Sequence, residues 1–469
     1  MSKADTRIEK DSMGQMKVPS WALWGASTER ARQNFPISGR GVPVDVVRAF
    51  GLLKAACAFA NKDLKKLDAK LADAIIEAAE EVAAGTLDKH FVVDVFQTGS
   101  GTSSNMNANE VIANRVSQQA GKPVGSKEPV HPNDHVNMGQ SSNDTFPAAM
   151  HVAAAVAMSK RLRPALAGLQ AALADRALTW DDVIKIGRTH LMDATPIRVG
   201  QVFSGYASQV EHALDRVDAA IRELGELAIG GTAVGTGINT HPQFGRRVAE
   251  QLSVKTGVKF VEAVNHPEAQ AAKDAFVGAS GALKCVAVGL SKIANDIRWL
   301  GSGPRCGLGE LSLPEIQPGS SIMPGKVNPV ICESVIQVAA RVIANDAAIT
   351  YGGFGGVGSI LELNVAMPMM ADAMMESITL LANVSEVFVD KLLSGLSVNR
   401  ERCGELIDQS LMMVTSLAPQ IGYDNAAKLA KQAFEDGTTI RELVKQQGIV
   451  DDAKLDELLD PASMTRPGE

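Results

Sequence analysis

Aromatic residues are scarce in this chain, and long uncharged stretches are missing from it. Of its 469 residues, 4% are aromatic although 45% are hydrophobic, so alanine, leucine and valine must supply most of the core. Such residues suit closely packed helices. No stretch of about 18 apolar residues, the length that a membrane-spanning helix needs, occurs without a charge. We therefore expect a helical protein with no segment in a membrane.

Cysteine pairs and an excess of positive charge are also lacking. The five cysteines are scattered, and no two of them form a Cys-x-x-Cys pair. An odd number without metal-ligand spacing predicts free thiols in a reducing cytoplasm and no metal centre. The net charge of −7 and the pI near 5.7 argue against a nucleic-acid partner. Neither value excludes a small dianionic substrate, because a local pocket decides that.

A targeting segment and a phosphate-binding loop are missing as well. The first lysine is followed neither by an apolar core nor by an Arg/Ser-rich segment, so we expect a cytoplasmic protein without a leader. The glycine-rich stretch 229–241 does not end in Gly-Lys-Ser/Thr and follows no strand pattern, which excludes a phosphate-binding loop. Thr236 and Asn239 within this stretch could still contact a substrate.

Apolar periodicity divides the chain into three predicted domains. A chain of this length exceeds one ordinary core. Residues 1–139 predict a mixed, mainly helical domain, whose first 45 residues are irregular and could pair as strands. Residues 140–395 predict a central helical bundle, and residues 396–469 a small helical domain. Five long helical runs are predicted in the bundle, at 145–178, 198–228, 268–300, 330–350 and 365–394.

The stretch 317–333 is the most informative of the sequence. It reads Gln-Pro-Gly-Ser-Ser-Ile-Met-Pro-Gly-Lys-Val-Asn-Pro-Val-Ile-Cys-Glu, and its composition indicates an ordered loop. Two hydroxyls, one cation and one amide stand just before a helix whose first turn suits Pro329. An anion is welcome near such a helix N-terminus. Taken alone, a surface loop with ordinary turn residues is the commoner interpretation.

Two other stretches place hydroxyl and amide side chains before helices. One carries Ser100, Thr102 and Asn105, and the other carries Ser141, Ser142 and Asn143. Donors at such junctions suit a carboxylate. Capping of the following helix explains both stretches equally well, in the first case by Thr102 or Ser103.

Thr189 and His190 are candidates in the polar stretch 187–196. A lone histidine is more often structural than catalytic, but this one is predicted in a loop before a helix led by Pro196. The helix that starts after Asn143 and ends before His190 has roughly 30 residues, which corresponds to about 45 Å. One chain cannot readily bring both ends to one small-molecule site, so we expect neighbouring antiparallel subunits to share it.

The form Met-Pro-Gly-Lys-Val-Asn-Pro in 317–333 resembles the signature of the fumarase/aspartase superfamily, and that of class II fumarases in particular. The similarity runs from Arg7-Ile-Glu-Lys to about Leu443. It implies an all-α, three-domain fold whose five long helices build a 20-helix core in a homotetramer. It also implies reversible hydration of fumarate to (S)-malate in the tricarboxylic acid cycle, with no metal or other cofactor and with each site shared by three chains.

The resemblance gives roles to the candidate residues. Ser320 would be the base that forms an aci-carboxylate intermediate, and His190 with Glu333 would support the acid side through a water. The other matching residues would bind substrate: Ser100, Thr102, Ser141, Ser142, Asn143, Thr189, Ser321, Lys326 and Asn328.

A second anion site is implied by the match of His131, Asn133 and Asp134 to the family pattern. The sequence departs from that pattern at Glu128, where an arginine can sit, and at His135 and Met138. These departures put the function of the second site in question.

Two alternatives to a fumarase remain open. An aspartate ammonia-lyase could use the same scaffold, but Gly325 and Gln97-Thr-Gly-Ser-Gly-Thr102 favour a fumarase, because aspartases can carry Ala and tend to Gln-Ala-Gly-Ala-Gly there. A structural protein with a decayed site is the other alternative. The intact set Ser320, Lys326, Asn328, His190 and Glu333 argues against decay.

Overall fold

The structure is a computed structural model that describes residues 5–467, and α-helices dominate it. Residues 1–4, on which the expected lack of a leader partly rests, and residues 468–469 lie outside the described part. The α-helices are α1 Ala26–Asn34, α2 Val44–Asp63, α3 Ala69–Ala83, α4 Thr102–Gln119, α5 Ser142–Ala157, α6 Arg163–Thr179, α7 Val199–Leu224, α8 Phe244–Thr256, α9 His266–Ala271, α10 Asp274–Leu300, α11 Val330–Gly353, α12 Met367–Val387, α13 Arg400–Gln409, α14 Ala418–Ile421, α15 Tyr423–Asp436, α16 Ile440–Gln447 and α17 Asp452–Leu458.

The β-strands of the described residues are short and pair two by two. They are β1 Thr6–Asp11, β2 Gly14–Pro19, β3 Ile184–Thr189, β4 Met192–Arg198, β5 Glu226–Leu227, β6 Val261–Glu262, β7 Leu311–Ser312, β8 Ser359–Ile360, β9 Leu363–Asn364 and β10 Ser397–Val398. The pairs are β1–β2, β3–β4, β5–β6, β7–β10 and β8–β9, of which only β5–β6 is parallel. The β1–β2 hairpin confirms the strand pair considered for the irregular N-terminal stretch.

The five predicted long helices are present, with ends that shift by a few residues. The first runs without interruption from Ser142 to Thr179, because the π-helical segment Met158–Leu162 joins α5 to α6. The predicted start of α10 at 268 is wrong, since His266–Ala271 forms the separate helix α9. Another π-helical segment, Phe388–Leu392, extends α12.

The apolar stripe on the first long helix explains why it forms. Leu162, Leu166, Leu169 and Leu173 recur at helical spacing and are all buried. Burying a leucine side chain is worth roughly 2 kcal/mol each. This packed face, more than the helix propensity of single residues, stabilises the helix.

The chain forms two compact units, each built from three segments. The first comprises the residues up to Pro164, Ala213–Ala287 and Val338–Ala382, and the second comprises Ala165–His212, Val288–Gln337 and the residues from Asn383 onward. The boundaries fall inside the long helices. The three consecutive domains read from the sequence therefore remain a prediction.

Packing of α2 against α3 dominates the core of the first unit. Leu67, Ile75 and Val82 are buried there with Val47. The chain turns between the end of α2 at Asp63 and the start of α3 at Ala69. The side chain of Asp68 then accepts hydrogen bonds from the N–H groups of Lys70 and Leu71, and this cap fixes the start of α3.

α10 is the one helix of the described chain whose length and apolar composition would allow it to cross a membrane. Phe276, Leu283 and Ile297 on this helix are buried inside the protein. Lys284 on the same helix lies 2.6 Å from the Asp346 carboxylate. The helix thus has the contacts of a core helix.

We expect Gly51→Ala to destabilise the first unit. A Cβ atom at Gly51 would lie 2.4 Å from the backbone nitrogen of Ala83 and 2.7 Å from the carbonyl oxygen of Ala79, so α2 and α3 would have to separate. Such overpacking costs about 1–3 kcal/mol, and thermal unfolding should show a lower midpoint.

Gly404→Ala in α13 is the matched control for that substitution. No atom lies within 4 Å of a Cβ at this position. Alanine should stabilise an exposed helix position by up to about 1 kcal/mol. A midpoint for Gly51→Ala at or above that of the unsubstituted protein would contradict the close packing of α2 on α3.

Candidate active site

The loop 317–333, in the second unit, is closed on itself by two hydrogen bonds at its base. The N–H of Gly319 donates to the carbonyl of Lys326 at 2.8 Å, and the side-chain amide of Asn328 donates to the carbonyl of Gly319 at 2.7 Å. Gly325 has a φ of +77°, which glycine adopts without strain. Gly319 serves a different purpose, because a Cβ there would lie 2.4 Å from the Lys326 carbonyl oxygen.

The hydroxyl of Ser320 accepts two backbone hydrogen bonds inside this loop. Its Oγ lies 3.2 Å from the nitrogen of Ile322 and 3.0 Å from the nitrogen of Met323. Both N–H groups point at the oxygen that would carry the charge of a serine alkoxide. Fixed donors of this kind lower the free energy of a developing negative charge.

The other groups of the loop are exposed in the single chain. Ser321 and Lys326 both face solvent, and within residues 5–467 the Lys326 ammonium makes no ion pair or hydrogen bond. Pro329 directly precedes α11 instead of lying in its first turn, and its carbonyl accepts from the N–H of Glu333 at 3.0 Å. The Glu333 side chain is exposed on that turn.

His190 lies at the tip of a β-hairpin, so the predicted loop before a Pro-led helix is wrong. β3 pairs with β4, and Pro196 lies within β4 opposite Ile186. The two turn residues, His190 and Leu191, have φ values of 59° and 62°. A two-residue turn with both φ values positive matches the twist of the flanking strands. The side chains of Thr189 and His190 are both exposed.

A buried charge cluster anchors this hairpin within the second unit. The Glu310 carboxylate, 1% exposed, lies 2.8 Å from the Arg188 guanidinium and 3.4 Å from the Lys185 ammonium. Burial lowers the pKa of Lys185, while the charge of Glu310 acts against that shift. Within the described residues, His190 and Glu333 form no hydrogen bond or ion pair with each other. Their predicted pairing is not formed inside one chain and stays a prediction.

Three hydroxyls of the first unit form a chain of hydrogen bonds. The Oγ of Ser100 lies 2.8 Å from Oγ1 of Thr102, which lies 2.7 Å from Oγ of Ser142. Capping of α4 by Thr102 or Ser103 is wrong. Gln97 accepts instead from the N–H of Ser104, at 3.0 Å. Thr102 is thereby left to connect the two predicted substrate-binding stretches.

Ser141 does cap its helix, as the structural interpretation of that stretch predicted. Its side chain accepts from the N–H of Asn143 at 3.2 Å, and Asp144 accepts from the N–H of Ser141 at 2.9 Å. The two bonds form a capping box at the start of α5. The side-chain amide of Asn143 donates to the Ala233 carbonyl at 2.8 Å, which leaves its other N–H for a ligand.

The buried carboxylate of Asp144 joins this helix start to the glycine-rich stretch 229–241. Its Oδ2 accepts from the N–H groups of Gly230 at 3.1 Å and Thr232 at 2.9 Å. Burial raises the pKa of Asp144 to about 6, although the backbone donors oppose the shift. Thr236 and Asn239 lie farther along the stretch with exposed side chains.

Sequence reasoning missed Lys54, which lies beneath the hydroxyl chain. Its side chain is completely buried, and its ammonium donates to the side-chain oxygens of Asn105 at 2.7 Å, Asn137 at 3.0 Å and Gln140 at 2.9 Å. Burial lowers the pKa of Lys54 to about 8. The available signal was a single charge in the otherwise apolar or small-residue stretch from Phe50 to Ala60.

The residues of the predicted second anion site lie together in the first unit. His131 and Asn133 line a cavity of about 360 Å³. Lys10 and Lys127 also line it, but so do Glu9, Asp11 and Glu110. His131 Nδ1 accepts from the N–H groups of Asn133 and Asp134, at 3.3 Å and 3.2 Å. Anion binding in this mixed cavity stays a prediction. No cluster that could hold a metal ion occurs among residues 5–467.

Comparison with known proteins gives matches along nearly the whole chain. The sequence model of the family described as Lyase matches residues 14–344, and that of the family described as Fumarase C C-terminus matches residues 413–466. A Corynebacterium glutamicum protein named fumarate hydratase class II is 56% identical, over 97% of this chain and 95% of that protein. A Mycobacterium tuberculosis strain H37Rv protein with the same name is 54% identical, over 99% of this chain and 97% of that protein.

A solved structure agrees with these sequence matches. The recombinant class II fumarase from Schistosoma mansoni superposes with a TM-score of 0.96 and 38% sequence identity. The superposition covers 99% of this chain and 100% of that one. The two folds therefore agree over almost their whole length.

We expect the turn at His190 to tolerate asparagine better than valine. Asparagine adopts a φ near +60° more readily than other residues with a side chain, whereas a β-branched residue there is strained by roughly 1–2 kcal/mol or more. Thermal unfolding should give His190→Asn a midpoint close to that of the unsubstituted protein and His190→Val a lower one. Equal midpoints for the two variants would argue against a turn with positive φ at this position.

Proposed function

Because the chain belongs to the class II fumarate hydratases of the fumarase/aspartase superfamily, we propose how its own residues carry out the reversible hydration of fumarate to (S)-malate. The fold is the all-α fold of that superfamily, and the enzyme is a lyase. The residue roles and the oligomeric state given below are proposals, and so is a cytoplasmic location of the enzyme. The observation that carries the mechanism is the pair of backbone N–H groups on Ser320 Oγ.

Removing a proton from the carbon next to a carboxylate requires a strong base. A free serine hydroxyl is a poor base, so its alkoxide must be stabilised. The N–H groups of Ile322 and Met323 supply two hydrogen bonds to that oxygen. We assign to the Ser320 alkoxide the abstraction of the carbon-bound proton of malate, which leaves a dianionic aci-carboxylate.

Lys326 and the start of α11 stabilise this dianion in the proposed mechanism. The Lys326 ammonium is free of protein partners in the described chain, so a substrate carboxylate can take that place. One N–H of the Asn328 side-chain amide donates to the carbonyl of Gly319. We assign to Asn328 the bracing of the loop, with its remaining N–H left for substrate. Electrostatic stabilisation by such fixed groups is usually the largest catalytic contribution.

The hydroxyl chain of the first unit binds a substrate carboxylate in this proposal. In the chain Ser100–Thr102–Ser142, each hydroxyl can donate to only one acceptor. The third proton of the chain goes to a long bond of 3.4 Å from Ser142 Oγ to Asn143 Oδ1, and a substrate carboxylate can replace Asn143 as that acceptor. The second N–H of the Asn143 amide is also available. Ser141, whose hydroxyl caps α5, holds this segment in place.

His190 and Glu333 complete the proposed site on the acid side. The departing hydroxyl takes a proton from a water, and the protonated imidazole of His190 gives that water a proton in turn, which leaves a neutral imidazole and two waters; a carboxylate orients the imidazole. Both side chains are exposed in the single chain, where they do not pair. We propose that they meet in a homotetramer with a 20-helix core, in which three chains contribute to each site. No metal or organic cofactor takes part in the proposed mechanism.

The aspartate ammonia-lyase alternative makes a different demand on the site, because it must release ammonia from an amino acid. Fumarate absorbance separates the two activities in one assay: malate is added first and aspartate second. Faster formation of fumarate from aspartate than from malate would show that the enzyme is an aspartate ammonia-lyase. Loss of malate turnover after exhaustive chelation would overturn the cofactor-free mechanism.

Ser320→Ala should remove the base while leaving the fold intact. We expect kcat for malate to fall by about a hundredfold or more, since general-base catalysis contributes factors of about 10²–10⁴ and the alkoxide acts only in the transition state. Ser312→Ala, an exposed serine in β7, is the matched control and should keep full activity. A Ser320→Ala variant with more than about a tenth of the normal kcat would rule out this serine as the base.

Two inactive variants should complement each other if sites are shared between chains. Ser320→Ala lacks the base, and His190→Asn lacks the imidazole but keeps the turn. Each homotetramer should be nearly inactive because the two groups act in the same transition state. If Ser320 and His190 come from different chains, refolding the two variants together should regenerate a minority of intact sites.

The control for complementation is mass spectrometry of the assembled mixture. Mixed tetramers must be present for the experiment to count. Mixed tetramers with no more activity than either parent would place both residues of a site on one chain. An active monomer in sedimentation at assay concentration would contradict the tetramer itself.

A further inference from the structure

The buried ammonium of Lys54 is the least expected charge in the protein. Lys54 is 0% exposed and lies in the middle of α2, among apolar and small residues. No carboxylate within the described residues forms an ion pair with it. Burying an unpaired ammonium costs several kcal/mol, and an apolar residue of similar volume would avoid that cost. Core packing therefore does not explain why a lysine lies at this position, and we look for a functional reason.

Three side-chain amides take all three protons of this ammonium. The acceptors are Asn105 Oδ1, Asn137 Oδ1 and Gln140 Oε1, at distances of 2.7 to 3.0 Å. An amide that points its oxygen at the ammonium must point its NH₂ group elsewhere. Asn105 and Asn109 accordingly donate to Asn137 Oδ1, both at 3.2 Å. The ammonium thus sets the orientation of a whole amide network.

The network connects directly to the proposed carboxylate-binding residues. Asn105 lies one turn after Thr102 on α4, and its Oδ1 also accepts from the hydroxyl of Thr145 in the first turn of α5. Gln140 directly precedes Ser141, the cap of α5. Lys54 therefore contacts both of the segments that bring Thr102 and Ser142 to 2.7 Å from each other.

We propose that Lys54 is a positioning residue for substrate binding. Its ammonium orients the amides that hold the two hydroxyl-bearing segments together, and its charge lies beneath the site that receives a dicarboxylate. This inference rests on the assignment of Ser100, Thr102 and Ser142 to substrate binding made above. Lys54 itself does not touch the substrate, because the amide network lies between them.

The charge of Lys54 should make substrate binding sensitive to alkaline pH. Burial lowers the pKa of Lys54 to about 8, and the negative charge of Asp144 on α5 opposes the shift. Burial raises the pKa of the Cys57 thiol, so this thiol stays neutral across the range. Above about pH 8 the neutral amine has two protons for three acceptors, so one amide is released and the positive charge is lost.

Isothermal titration with succinate, a saturated dicarboxylate that cannot react, tests the inference on the whole enzyme. We expect the dissociation constant to be flat between about pH 7 and about pH 7.5, above the range in which Asp144 titrates, and to rise about tenfold by about pH 9.5. Lys54→Met should bind succinate about tenfold more weakly near pH 7 and should lose the inflection. It should also raise KM for malate more than it lowers kcat, since the proposed role is in binding.

Lys62→Met is the matched control, because Lys62 lies on the same helix but is exposed and paired with Asp73. It should behave as the unsubstituted enzyme does. If Lys54→Met does not fold, Asn105→Asp serves instead: a carboxylate beside the ammonium raises its pKa, so the inflection should move to higher pH. A flat dissociation constant in the unsubstituted enzyme overturns the inference, as does an inflection that neither variant changes.

Thr102→Val separates failure of this inference from failure of the proposed function. Weaker succinate binding in Thr102→Val supports the hydroxyl chain as the carboxylate site. If Thr102→Val weakens binding but Lys54→Met does not, only the role of Lys54 is wrong. If Thr102→Val binds succinate normally, the proposed carboxylate site is wrong, and the positioning role falls with it.

Discussion

The carboxylate of Asp144 holds together the polar segments of the first unit to which we assign substrate binding. It accepts three backbone hydrogen bonds, from Ser141, Gly230 and Thr232. Those bonds begin the longest helix of the protein and fasten the glycine-rich stretch 229–241 to its first turn. Because Asp144 is fully buried, its charge is tolerated only as long as these donors stay in place. The geometry of Ser142 and Asn143 therefore depends on a residue that no ligand touches.

The two units treat their polar groups in opposite ways. In the first unit, buried and half-buried hydroxyls and amides bond mainly to one another, and one ammonium orients three of the amides. In the second unit, the Ser320 loop closes through its own backbone, while Lys326, His190 and Glu333 stay exposed. These three exposed side chains lie on ordered segments, where a substrate or another subunit can reach them. The proposed sharing of sites between subunits gives those exposed groups their partners.

The long helices could be predicted from the sequence because one physical signal, the apolar stripe, fixes them. Leu162, Leu166, Leu169 and Leu173 repeat with the helical period, and burial rewards that spacing directly. The signature loop could be predicted equally well, since its prolines restrict the backbone and its glycines permit turns that other residues resist. The resemblance to a known family then supplied roles for Ser320 and Lys326 that spacing alone does not contain.

The features that sequence reasoning missed depend on contacts between distant segments. The hairpin at His190 was hidden because Pro196 suggested a helix start, whereas the strand pairing with Ile186 decides the outcome. Gln97, and not Thr102, caps α4, and only the folded loop shows which side chain reaches the N–H groups. Lys54 was passed over because a lysine is normally solvated. Its three amide partners lie 51 to 86 positions away in the sequence.

The π-helical segment Met158–Leu162 determines which way the residues after it face on the longest helix. A π-turn holds one more residue than an α-turn, so the residues after it are rotated by about 100° relative to an uninterrupted α-helix. The buried leucines from Leu162 onward face the core because of that extra residue. Lys160 and Arg161 in this segment are exposed and can be replaced at little cost, but a gain or loss of one residue would turn the leucines that follow away from the core.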